Sequence, residues 1–383
     1  MSLETIPFNV PALSPQSVEH VLASLQSGKH SGDGEYTARA SQGLRDTFGY
    51  SDLLLTTSCT HALEMASMLL KLGPGDEVIV PSFTFVSTAS AVATRGATPV
   101  FADVRPDTLN LDAAAVEAAI TSRTRAVSVV HYAGVAAQLD ELIALCAKYD
   151  LSLIEDNAHG LGGTYRGQPL GTFGDMATLS FHETKNLQCG EGGALLLNQP
   201  ELLEAAEIIR EKGTNRSAFW RGKVDKYTWV ALGSSYLPSD VLAAMLVGGI
   251  EGFGDTQAAR MHAWDSYHTQ LADWASENGV QLPTVPEGAQ HPAHLYYMIM
   301  PEAADQAALI GHLASFGVYA VSHYVPLHSS PAGQRLGRCA DGCEVTSQVS
   351  ERLVRLPLHS RLTDVDIERV VEGVLSYEPA PPP

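Results

Sequence analysis

Positive charge is scarce in this chain of 383 residues. Twenty-four lysines and arginines stand against 43 aspartates and glutamates, a net charge of −19, and so acidic a chain excludes a protein that wraps nucleic acid. Cysteine is sparse too. Cys59, Cys146, Cys189, Cys339 and Cys343 are few and odd in number for a disulfide scaffold, and they fit a reducing cytoplasm. Long apolar runs are missing: the longest candidate, Val241 to Ile250, is interrupted by Gly248 and Gly249 and is shorter than the about 18 residues that a membrane span needs. The opening MSLETIPFNV lacks the charged, apolar and small-residue order of a secretion signal. Neither Gly-x-Gly-x-x-Gly after a strand nor a Gly-x4-Gly-Lys-Ser/Thr loop occurs, which argues against a nicotinamide oxidoreductase and a P-loop NTPase. Cys339 and Cys343 form a single Cys-x3-Cys pair with no second pair at zinc-site spacing, so no metal site is expected.

What is present is a globular composition, 45% hydrophobic and 17% charged, on a chain long enough for two domains. From about residue 50 to 200, short β-rich runs alternate with helical stretches, the pattern of strand-helix-strand units around a mostly parallel sheet. Leu53 to Leu55, Glu77 to Val80, Thr98 to Val104, Arg125 to Val130 and Leu151 to Ile154 are apolar on both faces, as strands covered on both sides should be. Thr60 to Leu72, Ala113 to Ile120 and Leu139 to Tyr149 read as the helices between them. Met176 to Phe181 and Gly193 to Leu197 complete a sheet of about seven strands, joined by a link too short for a helical crossover. A loop-like stretch, Gly213 to Tyr236, leads to a helix-rich region from about Ser239. The expected division is residues 1–250 as a large domain and 251–383 as a smaller α/β domain. In the latter, apolar runs lie near His294 to Met300 and Val318 to Pro326, helices near Ala307 to Phe316 and Asp364 to Ser376, and the EPAPPP end is expected to fray.

Ligands of open α/β sheets bind outside the carboxyl ends of the strands, and three such places carry polar residues. In LLLTTSCTHALEM, Ser58, Cys59 and Thr60 lie between a strand and a helix, where free N–H groups attract phosphate or an ordinary cap forms. In LSLIEDNAHG, Glu155 and Asp156 end an apolar strand and His159 follows; a carboxylate there needs a partner, structural or functional. In LSFHETKNLQCGEGG, Lys185 sits between two strands with Ser180 behind it, and taken alone it reads as a solvated loop lysine. Together, a lysine, a carboxylate and an anion-holding turn are the groups that pyridoxal phosphate requires. Phe83 or Phe85 could cover its ring.

The motifs PGDEVIVPSFTFVST, ATPVFADVRPDT, VVHYAG, IEDNAHG, LSFHETKN, GEGGALL, HYVPLH and LPLH resemble those of the DegT/DnrJ/EryC1/StrS sugar aminotransferases, pyridoxal-phosphate enzymes of fold type I, over nearly the whole chain. SFHETKN, IIREKGTNRS and DKYTW followed by GSSYL are narrower. They look most like transaminases that aminate C4 of dTDP-4-keto-6-deoxyglucose. The resemblance implies that Lys185 forms the Schiff base with the cofactor and shuttles the proton, and that Asp156 partners the pyridinium nitrogen. It places His159 near the phenolic oxygen, Phe85 on the ring, and Ser180 with Ser58, Cys59 and Thr60 around the phosphate. Many members carry an asparagine in a Gly-x-Asn-Tyr-Arg pattern that reaches the partner subunit's phosphate; this chain has Ser235 there. L-glutamate as donor, a dTDP-linked keto sugar as acceptor, and a homodimer with active sites at the interface are likewise implied.

Arg210, Lys212, Arg216, Arg221, Lys223 and Lys226 concentrate six of the 24 basic residues in one segment, as a diphosphate clamp or as a solvated face would. Arg216, Arg221 and Lys226 are the candidates for the former reading. His323, Tyr324 and His328 match a motif that lies toward the family's active site, although buried structural histidines fit as well. The rival activities are amination at C3 of a 3-keto sugar and a non-catalytic regulator on the same fold. A dehydratase that replaces the lysine with histidine is disfavoured by Lys185.

Overall fold

The computed structural model describes residues 4–379; residues 380–383 of the EPAPPP end lie outside it. The seven strands read from the sequence are present: β1 (Asp52–Thr56), β2 (Glu77–Pro81), β3 (Thr98–Ala102), β4 (Thr124–Val130), β5 (Ser152–Asp156), β6 (Met176–Ser180) and β7 (Gly193–Leu197). Two further pieces are β8 (Tyr296–Ile299) and β10 (Leu353–Leu356), an antiparallel pair, with the two-residue β9 (Arg338–Cys339) between them in sequence. The main sheet runs β1-β7-β6-β5-β4-β2-β3-β9. It thus has eight strands, one more than expected, because β9 adds in parallel to β3. That register is held by Arg338, whose guanidinium donates to both oxygens of Glu77 at 3.0 and 2.9 Å.

Alternation explains the layering. Leu53 and Leu55 face one apolar cluster, whereas Leu54 faces another, since successive strand residues point to opposite sides. Helices at Pro15–Gln26, Glu35–Phe48 and Asp240–Glu251 cover the first face, and Cys59–Leu69 covers the second. β7 runs antiparallel to both β1 and β6, so its first residue, Gly193, lies beside Thr56 and Ser180, the last residues of those strands. This register gathers the three chemically suggestive segments at one edge.

Beyond the sheet, Phe253–Glu277 forms a 25-residue helix, and a separate core joins it to β8, β10 and the helices Ala303–Ser315 and Asp364–Leu375. Thr363 starts the last of these with a reciprocal cap to Asp366. The apolar run Val318 to Pro326 is not a strand; it makes only single bridges, Ile6 to Val318 and Val321 to Arg355. The stretch 213–236 is mostly irregular, as expected, but contains the short helix Arg216–Trp220.

Candidate active site

A cavity of about 660 Å³ opens where the main sheet meets the C-terminal core. Ser58, Cys59, Thr60, Phe85, Asp156, His159, Ser180, Lys185, His323 and Tyr324 all line it. Ser235, Arg216, Arg221, Lys226 and His328 do not.

The end of β5 separates two adjacent carboxylates by strand alternation. Glu155 turns inward and accepts from His131 at 2.9 Å and from the N–H groups of Gly171, Phe173 and Gly174 at 2.7 to 2.8 Å. Burial pushes its pKa up, but the His131 contact and these amides outweigh that and leave it below the ordinary value. Glu155 is therefore structural. Asp156 turns to the cavity, accepts from Thr88 Oγ1 at 2.7 Å and from the Ala158 N–H at 3.4 Å, and forms no ion pair among the described residues. Burial holds its pKa above the usual carboxylate value, opposed by Thr88 and by the charge of Lys185. A buried acceptor of this kind fits a cationic N–H donor.

Ser58 caps the helix Cys59–Leu69, its Oγ accepting from the His61 N–H at 3.1 Å, while Thr60 Oγ1 meets Ser87 Oγ at 2.7 Å. The Cys59 thiol is pushed up by burial, so it is a neutral wall, donating to Thr178 Oγ1 at 3.4 Å. What this turn offers an anion is the helix N-terminus and hydroxyls. Gly193 makes the cradle possible: a Cβ there would stand 2.4 Å from Ser58 C and 2.5 Å from Cys59 N. Gly193→Ala is therefore expected to destabilise the fold by about 1–3 kcal/mol and to lower bound cofactor. Thermal unfolding and cofactor absorbance measure the two effects; an unchanged midpoint with full cofactor content would refute the close-approach argument.

Lys185 lies in the link between β6 and β7, its backbone N–H donating to the His182 carbonyl at 2.9 Å. Burial lowers its pKa to about 8, against the opposing pull of Cys59 and Asp156. At neutral pH it therefore has a larger neutral fraction than a surface lysine. Phe83 is buried among Tyr132 and Tyr324, whereas Phe85 is 59% exposed on the cavity rim, which singles out Phe85 as the ring available to a ligand. His159 has a buried Nδ1 without a hydrogen-bond partner, with its ring 4.3 Å from that of His294. An unpartnered imidazole nitrogen, an unpaired buried carboxylate, a lysine held near 8 and a helix N-terminus around one cavity fit pyridoxal phosphate.

Burial drives the pKa of both His159 and His294 well below the usual value. A depressed histidine adds stability that is complete above about pH 6.5 and is lost as pH falls, because the unfolded chain binds protons that the fold refuses. Each is expected to cost about 1.4 kcal/mol per pH unit below 6.5. Urea unfolding at pH 7.5 and 5.5 should show the loss, reduced in His294→Asn; a flat wild-type profile would contradict it.

Among the cavity residues that escaped the sequence reading are Arg260, His294 and Arg355. Arg260 is buried on the helix Phe253–Glu277 and donates through Nε to the Ala293 carbonyl at 3.0 Å and through Nη2 to the His294 carbonyl at 2.5 Å. His294 Nδ1 meets Asn186 Oδ1 at 2.9 Å. A signal for Arg260 was available, since it shares a helix face with Ala263, Trp264 and Tyr267 at spacings of three, four and seven.

Other expected residues are placed elsewhere. His328 is a structural tie, its Nδ1 2.6 Å from Ser82 Oγ. Arg216 contacts Glu211 at 3.2 Å and stacks over Trp220, and Arg221 grips both oxygens of Glu207 at 2.6 and 2.5 Å. Arg210 pairs with Asp33, and Lys212 with Glu211. Much of the basic cluster is thus neutralised by its own chain. Lys226 is exposed, and Ser235 is exposed beside Glu211. Among the described residues, one group could hold a metal ion: Cys339, Asp341 and Cys343, which do not line the cavity.

Comparison with known proteins agrees with this site. Residues 11–375 match the DegT/DnrJ/EryC1/StrS aminotransferase family. A GDP-perosamine synthase of Caulobacter vibrioides is 31% identical, with 97% of this chain and 98% of that protein covered. The crystal structure of an aminotransferase, TlmJ, from Streptoalloteichus hindustanus superposes with a TM-score of 0.89 at 30% identity, covering 97% of this chain and 98% of that one. The PMP form of a sugar aminotransferase, Spr1654, from Streptococcus pneumoniae gives 0.89 at 26% identity, over 96% and 98%. With the family match spanning nearly the whole sequence, this chain belongs to the DegT/DnrJ/EryC1/StrS family and is a pyridoxal-phosphate-dependent sugar aminotransferase.

Proposed function

We propose that the enzyme transfers an amino group from L-glutamate to C4 of a dTDP-linked 4-keto-6-deoxyhexose, giving the 4-amino-4,6-dideoxy sugar and 2-oxoglutarate. The observation that carries the chemistry is Lys185, Asp156 and the Ser58–Thr60 turn around one cavity. The narrow motifs SFHETKN, IIREKGTNRS and DKYTW carry the choice of sugar. A relative named as a GDP-perosamine synthase supports a nucleotide-linked substrate.

Pyridoxal phosphate, when bound, supplies the electron sink that stabilises charge at the reacting carbon. The chain's own residues do the rest. Asp156 holds a proton on the ring nitrogen, and Thr88 fixes its orientation. Ser58, Thr60, Ser180 and the helix N–H groups bind the phosphate; Cys59 closes the wall; Phe85 covers the ring face; and His159 orients the phenolic oxygen. Lys185 Nζ takes the proton from one carbon and returns it to the other. His323 and Tyr324 face the sugar.

The division at residue 250 is supported by the separate core around the helix 253–277, although β9 returns to the main sheet. A homodimer is supported by the exposed large apolar side chains Phe85, Trp220, Trp229 and Leu232, the last two 72% and 67% exposed, of the kind that an interface would cover. In such a dimer Ser235, Arg216, Arg221 and Lys226 serve the partner's cavity, and the five free thiols fit a cytoplasmic location.

The test follows the visible absorbance of the bound cofactor through both halves of the reaction. L-glutamate should convert the spectrum and dTDP-4-keto-6-deoxyglucose should restore it, with the corresponding GDP sugar less effective and product NMR fixing C4. Restoration only by a 3-keto sugar or by the GDP sugar would overturn the substrate, and no response to glutamate would overturn the donor.

A further inference from the structure

The turn after β9 carries two thiols that do not line the cavity. Cys339 ends β9 at the outer edge of the main sheet, and Cys343 precedes the helix Glu344–Ser350; only Ala340, Asp341 and Gly342 separate them. Their sulfurs stand 3.1 Å apart, closer than two unbonded sulfurs ordinarily rest. Neighbouring contacts hold each of them there. On one side Arg338 grips Glu77 at 3.0 and 2.9 Å, and the Ala340 N–H donates to the Phe101 carbonyl at 3.0 Å. On the other, the Asp103 carboxylate accepts from the N–H groups of Val345 and Thr346 at 2.8 and 2.9 Å and from Thr346 Oγ1 at 2.7 Å. Asp341 fixes the turn between, its Oδ1 accepting from the Cys343 N–H at 3.1 Å.

Two reacting groups fixed at contact distance have little freedom left to lose when a bond joins them. The two thiols are not equivalent. Cys339 is exposed, whereas Cys343 is buried in an apolar cluster with Val80, Phe101 and Leu327. Burial, reinforced by the Cys339 sulfur and by the carboxylates of Asp341 and Asp103, pushes the pKa of Cys343 up, and its S–H meets Asp341 Oδ1 at 3.5 Å. A reagent arriving from solvent therefore meets Cys339 first. Asp341 and the two cysteines also form a three-ligand group of the kind that holds a metal, but sulfurs sharing a tetrahedral zinc ion lie about 3.8 Å apart, further than these do. The spacing favours a bond between the sulfurs. Cys146 and Cys189 are buried away from any second thiol, and Cys59 meets Thr178 and Asp156 instead.

We propose that Cys339 and Cys343 are a reversible dithiol–disulfide pair, oxidised by exchange with a small disulfide of the glutathione class, and that closing the bond pins β9 to the edge of the sheet. The Cys339 thiolate, its proton given to water, attacks one sulfur of the small disulfide; that S–S bond breaks and one small thiolate leaves. Cys343 then passes its proton to Asp341 and attacks Cys339 Sγ, expelling the second small thiolate. Two protein thiols are oxidised, one small disulfide is reduced to two thiols, and the two protons released by the protein balance the two that the leaving thiolates take up. Excess reduced thiol drives the exchange backwards, so the pair stays open in a reducing compartment and closes when the small disulfide accumulates.

The test treats the reduced holoenzyme with oxidised glutathione, blocks the remaining thiols with an alkylating agent and digests the protein with trypsin. Cleavage after Arg338 and Arg352 leaves residues 339–352 as one peptide that holds both cysteines and no other, so the bond appears as an unlabelled peptide lighter by two hydrogens. It is expected to form about 100-fold faster than any oxidation at buried Cys146 and to open again in reduced glutathione. Cys343→Ser should stop at a stable glutathione adduct on Cys339. Cys339→Ser, a change at an exposed position, should leave Cys343 labelled and without an adduct. In the oxidised form, hydrogen exchange at the Ala340 amide should slow about tenfold as the edge strand opens less often. A wild-type peptide that stays labelled as long as Cys146 does, or a Cys339 adduct that wild type never resolves, would overturn the pair. An adduct on Cys343 in Cys339→Ser would overturn the order of attack, and unchanged exchange at Ala340 would overturn the pinning of β9. Protection of both thiols by one equivalent of zinc chloride, with no disulfide formed in its absence, would make this a metal site and overturn the proposal.

Discussion

Replacement of Lys185 by alanine is expected to lower turnover by about 10,000-fold, because in the proposed mechanism the same side chain would hold the cofactor covalently and move the proton in both halves of the reaction. Cofactor should still bind. Asp156, the Ser58–Thr60 turn, Ser180 and Phe85 remain in place around the cavity, so equilibrium dialysis should find it weaker but retained. The lysine's pKa of about 8, set by burial, adds a second readout. Reaction of wild-type, cofactor-free protein with pyridoxal phosphate requires neutral amine, so its rate should climb with pH and level off above about 8, and Lys185→Ala should lack this phase. Turnover within tenfold of wild type in the alanine variant would remove Lys185 from the mechanism.

Asp156→Asn should separate function from stability. The amide keeps the shape and a contact to Thr88 but loses the charge that, in the proposed mechanism, would hold a proton on the cofactor's ring nitrogen. Electrostatic stabilisers of this kind contribute about 3–4 kcal/mol, so kcat/KM is expected to fall about 100- to 1,000-fold. Stability of the cofactor-free protein should not fall with it. Burial disfavours the ionised form of Asp156 and raises its pKa, so a neutral isostere relieves a penalty, and the unfolding midpoint should be equal or higher. A variant that is active but unstable would reverse both halves of this assignment. Glu155 provides the contrast: its carboxylate is held below the ordinary value by His131 and backbone amides, and Glu155→Gln should lower the midpoint.

The comparison of these neighbours shows what sequence can and cannot tell. Both acids end one apolar run, and apart from the family motif they look alike in LSLIEDNAHG; the pleat sends one inward to four donors and the other to the cavity. The basic segment is a related case. Arg216 and Arg221 look free in sequence, yet within the chain they pair with Glu211 and Glu207, five and 14 residues earlier. Arg355 escaped notice because a lone charge in LVRLPL reads as the outward residue of a strand, whereas the cavity at that strand's edge makes it an inward one.

By itself the sequence determined the alternation of strands and helices, the position of Lys185 in a short link between two strands, Asp156 at a strand end, and the family. These follow from local hydrophobic period and from motifs contiguous in the chain. Tertiary structure alone decided that β9 would extend the sheet, that His328 would tie to Ser82, and that Arg260 and Arg355 would join the site. Each of those depends on contacts between residues far apart in sequence, and a contact of that kind leaves no periodic trace in either partner's own segment.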